Sequence, residues 1–494
     1  MTLQSHTFIS TLAAGALTVL LSGCAADGPT PVVEQQTSIT GPVSAFIGVD
    51  VLPMDREIVL KDQTVIVRDD RIDAIGPASD IAIPENAIRI EAQGKLLMPG
   101  LADMHAHIYP CTDLSNPATC TMPEHQLLNY AATGVTLVRD TSGSPQHANH
   151  ARKLSEGEWF GPELYFTSPV LEGENAVWSF ARKVLTPEEA DAVVKYYADG
   201  PYWGVKIYHT LRADVFRAIM DAGRKYDIPI IGHVPFEVGI AEVLDAGMYT
   251  IEHMRGFDAD GLSPEQLAIN GGRSAVRFGS ILNMTEARKE ELIAKTVEND
   301  VHMVPTFVIN DFLMDKEGRA EMTRHPRYAR FHPDMKTFLT SATSLDALFP
   351  EDSIAALGEA KPVMMDLVRR IHKAGGVVLT GTDVILGGYV PGFSVIEEIE
   401  ALETAGLSRF DALVASTRDA AMSVGQGDDN GTVEVGKEAD LILLDGNPLE
   451  ALDALRDLSG VMIDGRWQTM EELEAIMDAK VAGYDDNTDS TETF

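Results

Sequence analysis

Eight short apolar runs alternate with stretches of helical periodicity across the middle of this chain. They lie at Leu101–His107, Val135–Asp140, Glu163–Thr167, Gly204–Tyr208, Pro229–His233, Tyr249–His253, His302–Thr306 and Val377–Asp383. That rhythm marks repeated βα units and leaves few folds open. Eight such units suffice to close a (β/α)8 barrel of the TIM type, whose chemistry sits at the C-terminal ends of its strands. The expected fold class is therefore α/β, with the site at those ends.

The strand ends carry an unusual set of side chains. The first run, Leu97-Met98-Pro99-Gly100-Leu101-Ala102-Asp103-Met104-His105-Ala106-His107, closes on two histidines one residue apart. Strict alternation would put Asp103, His105 and His107 on one face and Met104 and Ala106 on the other. In Trp203-Gly204-Val205-Lys206-Ile207-Tyr208, alternation turns Val205 and Ile207 toward helices and Lys206 and Tyr208 toward the barrel axis. A buried lysine is costly as a cation, so Lys206 must be paired, deprotonated or chemically changed. His233 and His253 each end an apolar run, and Asp383 follows Leu379-Thr380-Gly381-Thr382. Singly, each has an ordinary reading: a satisfied core histidine, or an aspartate capping a helix. Together, at the ends of strands one, four, five, six and eight, they point to one site.

Both flanks of the barrel read as β structure. Short β-branched runs separated by turn residues fill 44–97, and runs of the same kind return at 431–436, 439–444 and 461–465. Strands from the two ends, with no nearer partners, are expected to pair as one small β-sandwich domain (44–98 with 426–475) beside the barrel (99–425). The helical, charged interruption at about 310–361 between strands seven and eight is expected to be a lid, an oligomer contact or both. The acidic stretch 484–494 is expected to be a disordered tail.

Here the sequence resembles the amidohydrolase superfamily of metal-dependent hydrolases, and within it the imidazolonepropionase-like and prolidase-like group. The resemblance rests on Pro99-Gly100-Leu101-x-Asp103-x-His105-x-His107, Val205-Lys206-Ile207, Gly232-His233-Val234, Ile251-Glu252-His253, Gly381-Thr382-Asp383 and Gly436-Lys437-x-Ala439-Asp440-Leu441. It implies a binuclear zinc centre. His105, His107 and Asp383 would hold the more buried ion and His233 and His253 the more exposed one, with Lys206, carboxylated by CO2, bridging them beside a hydroxide. A carbamate on Lys206 would remove the buried-cation problem and could span two metals. Asp383 would take the proton of the attacking water and pass it to the leaving amine. Imidazoles and carboxylates suit zinc, with manganese or iron as alternatives. The resemblance implies cleavage of an amide bond in a dipeptide or an N-acyl amino acid. A cyclic amide, lactone or phosphoester would be served by the same site, and a non-catalytic envelope lipoprotein is the rival from another class.

Substrate contacts are less constrained. Tyr208 is either a hydrogen-bond donor to substrate or a packed barrel aromatic, and Arg255 is a candidate clamp for a carboxylate. His147 and His150, in the loop after strand two, are expected to face solvent. His302 is expected to open strand seven on the opposite face, away from any metal.

Charge and termini bound the partners. The chain has 39 basic against 75 acidic residues, a net charge of −36, which repels phosphate backbones and excludes nucleic acid as an expected partner. Residues 1–24 read as an export signal ending in Leu21-Ser22-Gly23-Cys24, which looks like a bacterial lipobox with Cys24 as the lipidated residue. No Lys or Arg precedes its apolar run, a departure from the usual pattern. Residues 25–43 read as a tether. The expected location is the cell envelope, anchored by lipid on Cys24 and facing the periplasm; a homo-oligomer is left open. In that oxidising compartment Cys111 and Cys120, with eight residues between them and just after the first strand, are expected to pair as a disulfide.

Overall fold

The structure is a computed structural model that describes residues 42–109, 121–315, 326–333, 336, 349–384 and 390–488. Cys24 with the signal and tether, Cys111, Cys120, much of the 310–361 insert and residues 489–494 lie outside the described residues. Among the described residues no helix is long and apolar enough to cross a membrane.

The first five strands are β1 (Val43–Val51), β2 (Leu60–Arg68), β3 (Arg71–Pro77), β4 (Ile88–Glu91) and β5 (Leu96–Pro99). Then come the strands of the βα units: β6 (Leu101–Ala106), β7 (Val135–Asp140), β8 (Glu163–Phe166), the short β9 (Leu171–Glu172) and β10 (Arg182–Lys183), β11 (Val205–Ile207), β12 (Ile230–Gly232), β13 (Thr250–Glu252) and β14 (His302–Val304). The chain closes with β15 (Leu441–Leu444), β16 (Leu458–Ile463) and β17 (Arg466–Thr469).

Strands from both chain ends share one eight-stranded sheet in the order β17-β16-β15-β5-β1-β2-β3, with β4 also on β1. The expected sandwich is thus a single sheet. A backbone bridge between Arg71 and Glu438 links its β3 edge to the segment entering β15. Residues from both ends fill its core, Phe46, Val65 and Leu97 meeting Leu441, Leu443 and Met462. Phe46 sets its ring edge-on to Trp467 at 5.2 Å between centroids.

The central strands are all parallel and fall into two sheets, β6-β7-β8 and β10-β9-β11-β12-β13-β14. Single parallel bridges connect them: Thr167 with Gly204, Met303 with Val378, and Ala106 with Val384. The eighth expected strand, Val377–Asp383, is therefore no regular strand, yet it carries a parallel bridge toward β14 at one end and toward β6 at the other. Helices lie outside: Val205 and Ile207 pack in the same core as Val215, Phe216 and Ile219 of the helix Ala213–Tyr226. That helix alternates polar and apolar residues at helical spacing, so one stripe meets the strands.

Strand β6 breaks the alternation expected of it. Its pairing with β7 shifts register between Asp103 and Ala106. Ala102 and Met104 pack with Leu137, Val304 and Leu379, whereas Leu101 and Ala106 join the outer core. Such an irregularity re-aims the side chains that follow it, here His105 and His107. At the other end, the helix Met470–Thr488 runs into the stretch expected to be a disordered tail, and Tyr484 packs against His125 and His332.

The joint between the chain ends gives the first test. Phe46 is fully buried, so Phe46→Ala should destabilise the protein by about 3–5 kcal/mol in urea unfolding. A loss below about 1 kcal/mol would mean the two ends are not energetically joined there.

Candidate metal centre

Two glycines let the strand ends converge. Gly232 has φ +129°, and a Cβ there would sit 2.2 Å from the Ile207 carbonyl oxygen. A Cβ on Gly381 would come within 2.4 Å of Val304 and 3.0 Å of the His105 amide nitrogen. In both Gly232-His233 and Gly381-Thr382-Asp383, close backbone approach requires the missing side chain. Asp103 then fixes the far side of the joint. Its buried carboxylate accepts from the Thr382 amide (3.0 Å), the Thr382 hydroxyl, the His105 amide (3.1 Å) and the Tyr130 hydroxyl (3.2 Å). Burial pushes its pKa up to about 6, and those donors oppose the rise.

This joint sets Asp383 among three histidines. Its Oδ1 lies 3.0 Å from His107 Nε2 and 3.5 Å from His105 Nε2, and its Oδ2 lies 3.8 Å from His253 Nε2. His233 follows, its ring centroid 4.9 Å from that of His253. Among the described residues, one trio of metal-capable side chains has ligand atoms all within 4.8 Å of one another: His105, His253 and Asp383. Asp383 thus reaches into both halves of the expected ligand set, rather than closing only on His105 and His107. Asp383 and His253 both adopt left-handed backbone conformations, φ 57° and 58°, which non-glycine residues rarely hold outside functional sites.

On three of the four histidines the nitrogen not aimed at the centre is taken up elsewhere. His105 Nδ1 meets Glu252, His253 Nδ1 meets the Thr306 hydroxyl at 2.6 Å, and His233 Nδ1 meets His209 Nε2 at 2.8 Å. Such partners fix ring orientation and tautomer at metal sites. Glu252 is itself held by buried Arg139 at 3.3 Å, whose Nε donates to the Met104 carbonyl. Sequence reasoning missed Glu252, Arg139, His209 and Thr306. The first two left a signal, since a charged residue inside an otherwise apolar buried strand needs a partner.

Burial keeps three of the imidazoles neutral. It drives His105 and His233 well below the usual histidine range and His253 down to about 3, where Asp383 and Glu252 oppose the fall. Burial would raise Asp383, but His253, His107 and His105 outweigh it and hold the carboxyl below its ordinary value. Neutral imidazole and ionised carboxylate are the forms that ligate a cation. Lys206 lies in the same cavity, its Nζ buried with no hydrogen-bond partner, and burial pulls its amine down to about 8. An orphaned buried nitrogen beside four histidines and an aspartate fits a centre completed by divalent metal.

Other expectations resolve differently. Tyr208 stacks on His233 at 4.0 Å, and it lines the cavity together with Arg255. His147 and His150 are not exposed. They lie buried in the helix Pro145–Ser155, and His147 pairs with Asp140 at 3.3 Å. The helix turns them inward, a direction that a loop reading could not supply. His302 opens β14 and contacts Ser423 and Tyr249, away from the cluster.

The sequence model of the amidohydrolase family matches residues 96–468. No curated protein matches the sequence. Among solved structures, the fold is similar to that of a prolidase candidate from Bifidobacterium longum, at 22% identity and TM-score 0.65 over 89% of this chain and 98% of that one. It is similar to a Xaa-Pro dipeptidase with methionine bound in its active site, at 18% identity and TM-score 0.64 over 86% and 100%. It is also similar to bottromycin amidohydrolase, at 21% identity and TM-score 0.66 over 90% of each chain. At these identities the likeness is one of fold.

The positioning of His105 gives the second test. Glu252→Gln keeps the shape and removes the charge, so affinity for divalent metal should fall about 10–100-fold, read by competition with a chelator. Unchanged affinity would separate Glu252 from the centre.

Proposed function

The chain belongs to the amidohydrolase family of hydrolases acting on carbon–nitrogen bonds, and from that premise we propose that it cleaves the amide bond of a dipeptide or N-acyl amino acid at a binuclear zinc centre. One observation carries the reading: Asp383 touches His105, His107 and His253 in a cavity that Lys206 and His233 also line. The bridged parallel strands support a (β/α)8 barrel. The dipeptidase and the prolidase candidate among the structural relatives favour a peptide-like substrate.

In this reading His105, His107, His233, His253 and Asp383 would hold the metal, with Lys206, once carboxylated, as a further anionic ligand. Bound divalent metal supplies Lewis acidity toward the scissile carbonyl and lowers the pKa of the attacking water. Lys206 contributes through its lowered pKa: the neutral amine adds to CO2, a C–N bond forms, a proton leaves to solvent, and an anionic carbamate results. Asp383, kept ionised by its histidines, accepts the proton of the attacking water on a carboxylate oxygen and delivers it to the leaving nitrogen. Burial raises the Tyr208 pKa, so its hydroxyl stays protonated and able to donate to the developing oxyanion. The largely apolar cavity around them, about 320 Å³, is at the lower end of small-molecule sites (roughly 300–1,000 Å³). Export and a lipid anchor on Cys24 complete the proposal.

A library of dipeptides and N-acyl amino acids tests it directly. Zinc-loaded protein should hydrolyse a related set, and Asp383→Asn and His105→Asn should each lose about a hundredfold or more in kcat/KM. Wild-type rates in both variants would overturn the mechanism. Lys206→Ala should be inactive and partly rescued by short carboxylic acids in the buffer, and the absence of rescue would count against the carbamate.

A further inference from the structure

The cavity that holds the metal-capable cluster has a second charged lobe, and nothing in the hydrolytic machinery uses it. Three arginines line the cavity there: Arg255, Arg273 and Arg277. Asp258 pairs with two of them, Arg255 at 3.3 Å and Arg277 at 2.9 Å. Three guanidinium groups thus share one directly paired carboxylate, in a chain whose net charge is −36.

Arg273 is the one with no anion. Among the described residues no carboxylate lies within ion-pair distance of it, and its guanidinium donates no hydrogen bond to protein. Glu172, which acts on it electrostatically, spends its oxygens on the Val177 and Trp178 amides and the Thr210 hydroxyl. The Arg273 guanidinium sits instead between two rings, 5.4 Å from the Trp178 centroid and 5.6 Å from that of Phe349. Aromatic faces hold a planar cation in place without consuming its N–H donors. Its backbone is pinned as well, the carbonyl accepting from Ser353 and Asn270 side chains. A fixed, charged fork with free donors in a largely apolar pocket is preorganised for a carboxylate, which it can grip through two parallel hydrogen bonds. Tyr208 lines the same cavity as Asp383, Arg255 and Arg273.

We propose that Arg273, clamped between Trp178 and Phe349 and flanked by Arg255, is the receptor for the free carboxylate of the substrate. The enzyme would then require a free carboxy terminus on the leaving amino acid and would discriminate against the corresponding amide. The surrounding Trp178, Phe278 and Phe349 favour a bulky apolar side chain next to that carboxylate. This deepens the amide-hydrolase reading and rests on it for the identity of the bond cleaved, though not for the binding of the anion.

The test compares N-acetyl-L-phenylalanine with its carboxamide on the zinc-loaded full chain, both as substrates and as calorimetric ligands. Wild-type protein should prefer the acid by at least about tenfold, the range of a hydrogen bond to a charged group. In Arg273→Gln the preference should collapse to within about threefold, mainly through KM, and Arg273→Lys should retain an intermediate preference because it keeps the charge but not the fork. Equal binding of acid and amide by wild type, or an undiminished preference in both variants, would overturn the proposal. If neither probe is hydrolysed yet the acid binds preferentially and only with Arg273 present, the amide-hydrolase reading falls and the carboxylate receptor stands.

Discussion

The site depends on one buried carboxylate. Asp103 accepts hydrogen bonds from both the amide and the hydroxyl of Thr382 while also holding the His105 amide. The segment ending in Asp383 forms no regular strand, yet backbone hydrogen bonds lay it between β14 and β6, from Leu379 to Met303, from Met104 to Thr380 and from Asp383 to His105, and the Asp103 joint fixes its last residues. With it, Asp383 is delivered to His105 and His107 by a segment whose Thr382 lies 279 residues from Asp103 in sequence, a loop whose closure costs entropy that tertiary contacts offset. The desolvation cost is visible in the upward pull of burial on Asp103, and four donors meet it.

The same logic extends outward from the histidines. An imidazole pointing into a cavity can rotate, and each of His105, His233 and His253 is held by a partner on its other nitrogen. Glu252 is the most consequential of these, since it ties His105 to Arg139 and hence to the Met104 carbonyl of β6. A buried ion pair contributes little net stability, but breaking one partner leaves an uncompensated charge. The structure therefore uses such pairs for position, and of the four cations that line the cavity among the described residues, Arg255 and Arg277 pair with Asp258 while Lys206 and Arg273 have no anion within ion-pair distance.

Much of this was legible in the sequence because strand periodicity and strand ends are local signals. Lys206, His233, His253 and Asp383 could be placed in one site from apolar runs alone, and Gly232 and Gly381 belong to motifs whose close contacts explain them. What was not legible depends on contacts between distant segments. The register shift in β6 arises from pairing with β7, which local spacing does not reveal. His147 and His150 look solvent-facing in a polar stretch, yet the helix Pro145–Ser155 turns them onto Asp140 and Trp159. Likewise the two β flanks announce that they pair, but not that they merge into one sheet through β5 and β15.

The claim that these strand ends form a binuclear centre is tested most directly by counting metal. Protein loaded with zinc in the presence of bicarbonate, freed of excess ion and measured by elemental analysis, should carry close to two zinc per chain, as the two-metal site requires. Protein that retains no zinc after loading would contradict the account at its root, because every distance around Asp383 would then describe a packed polar core and not a place for a cation.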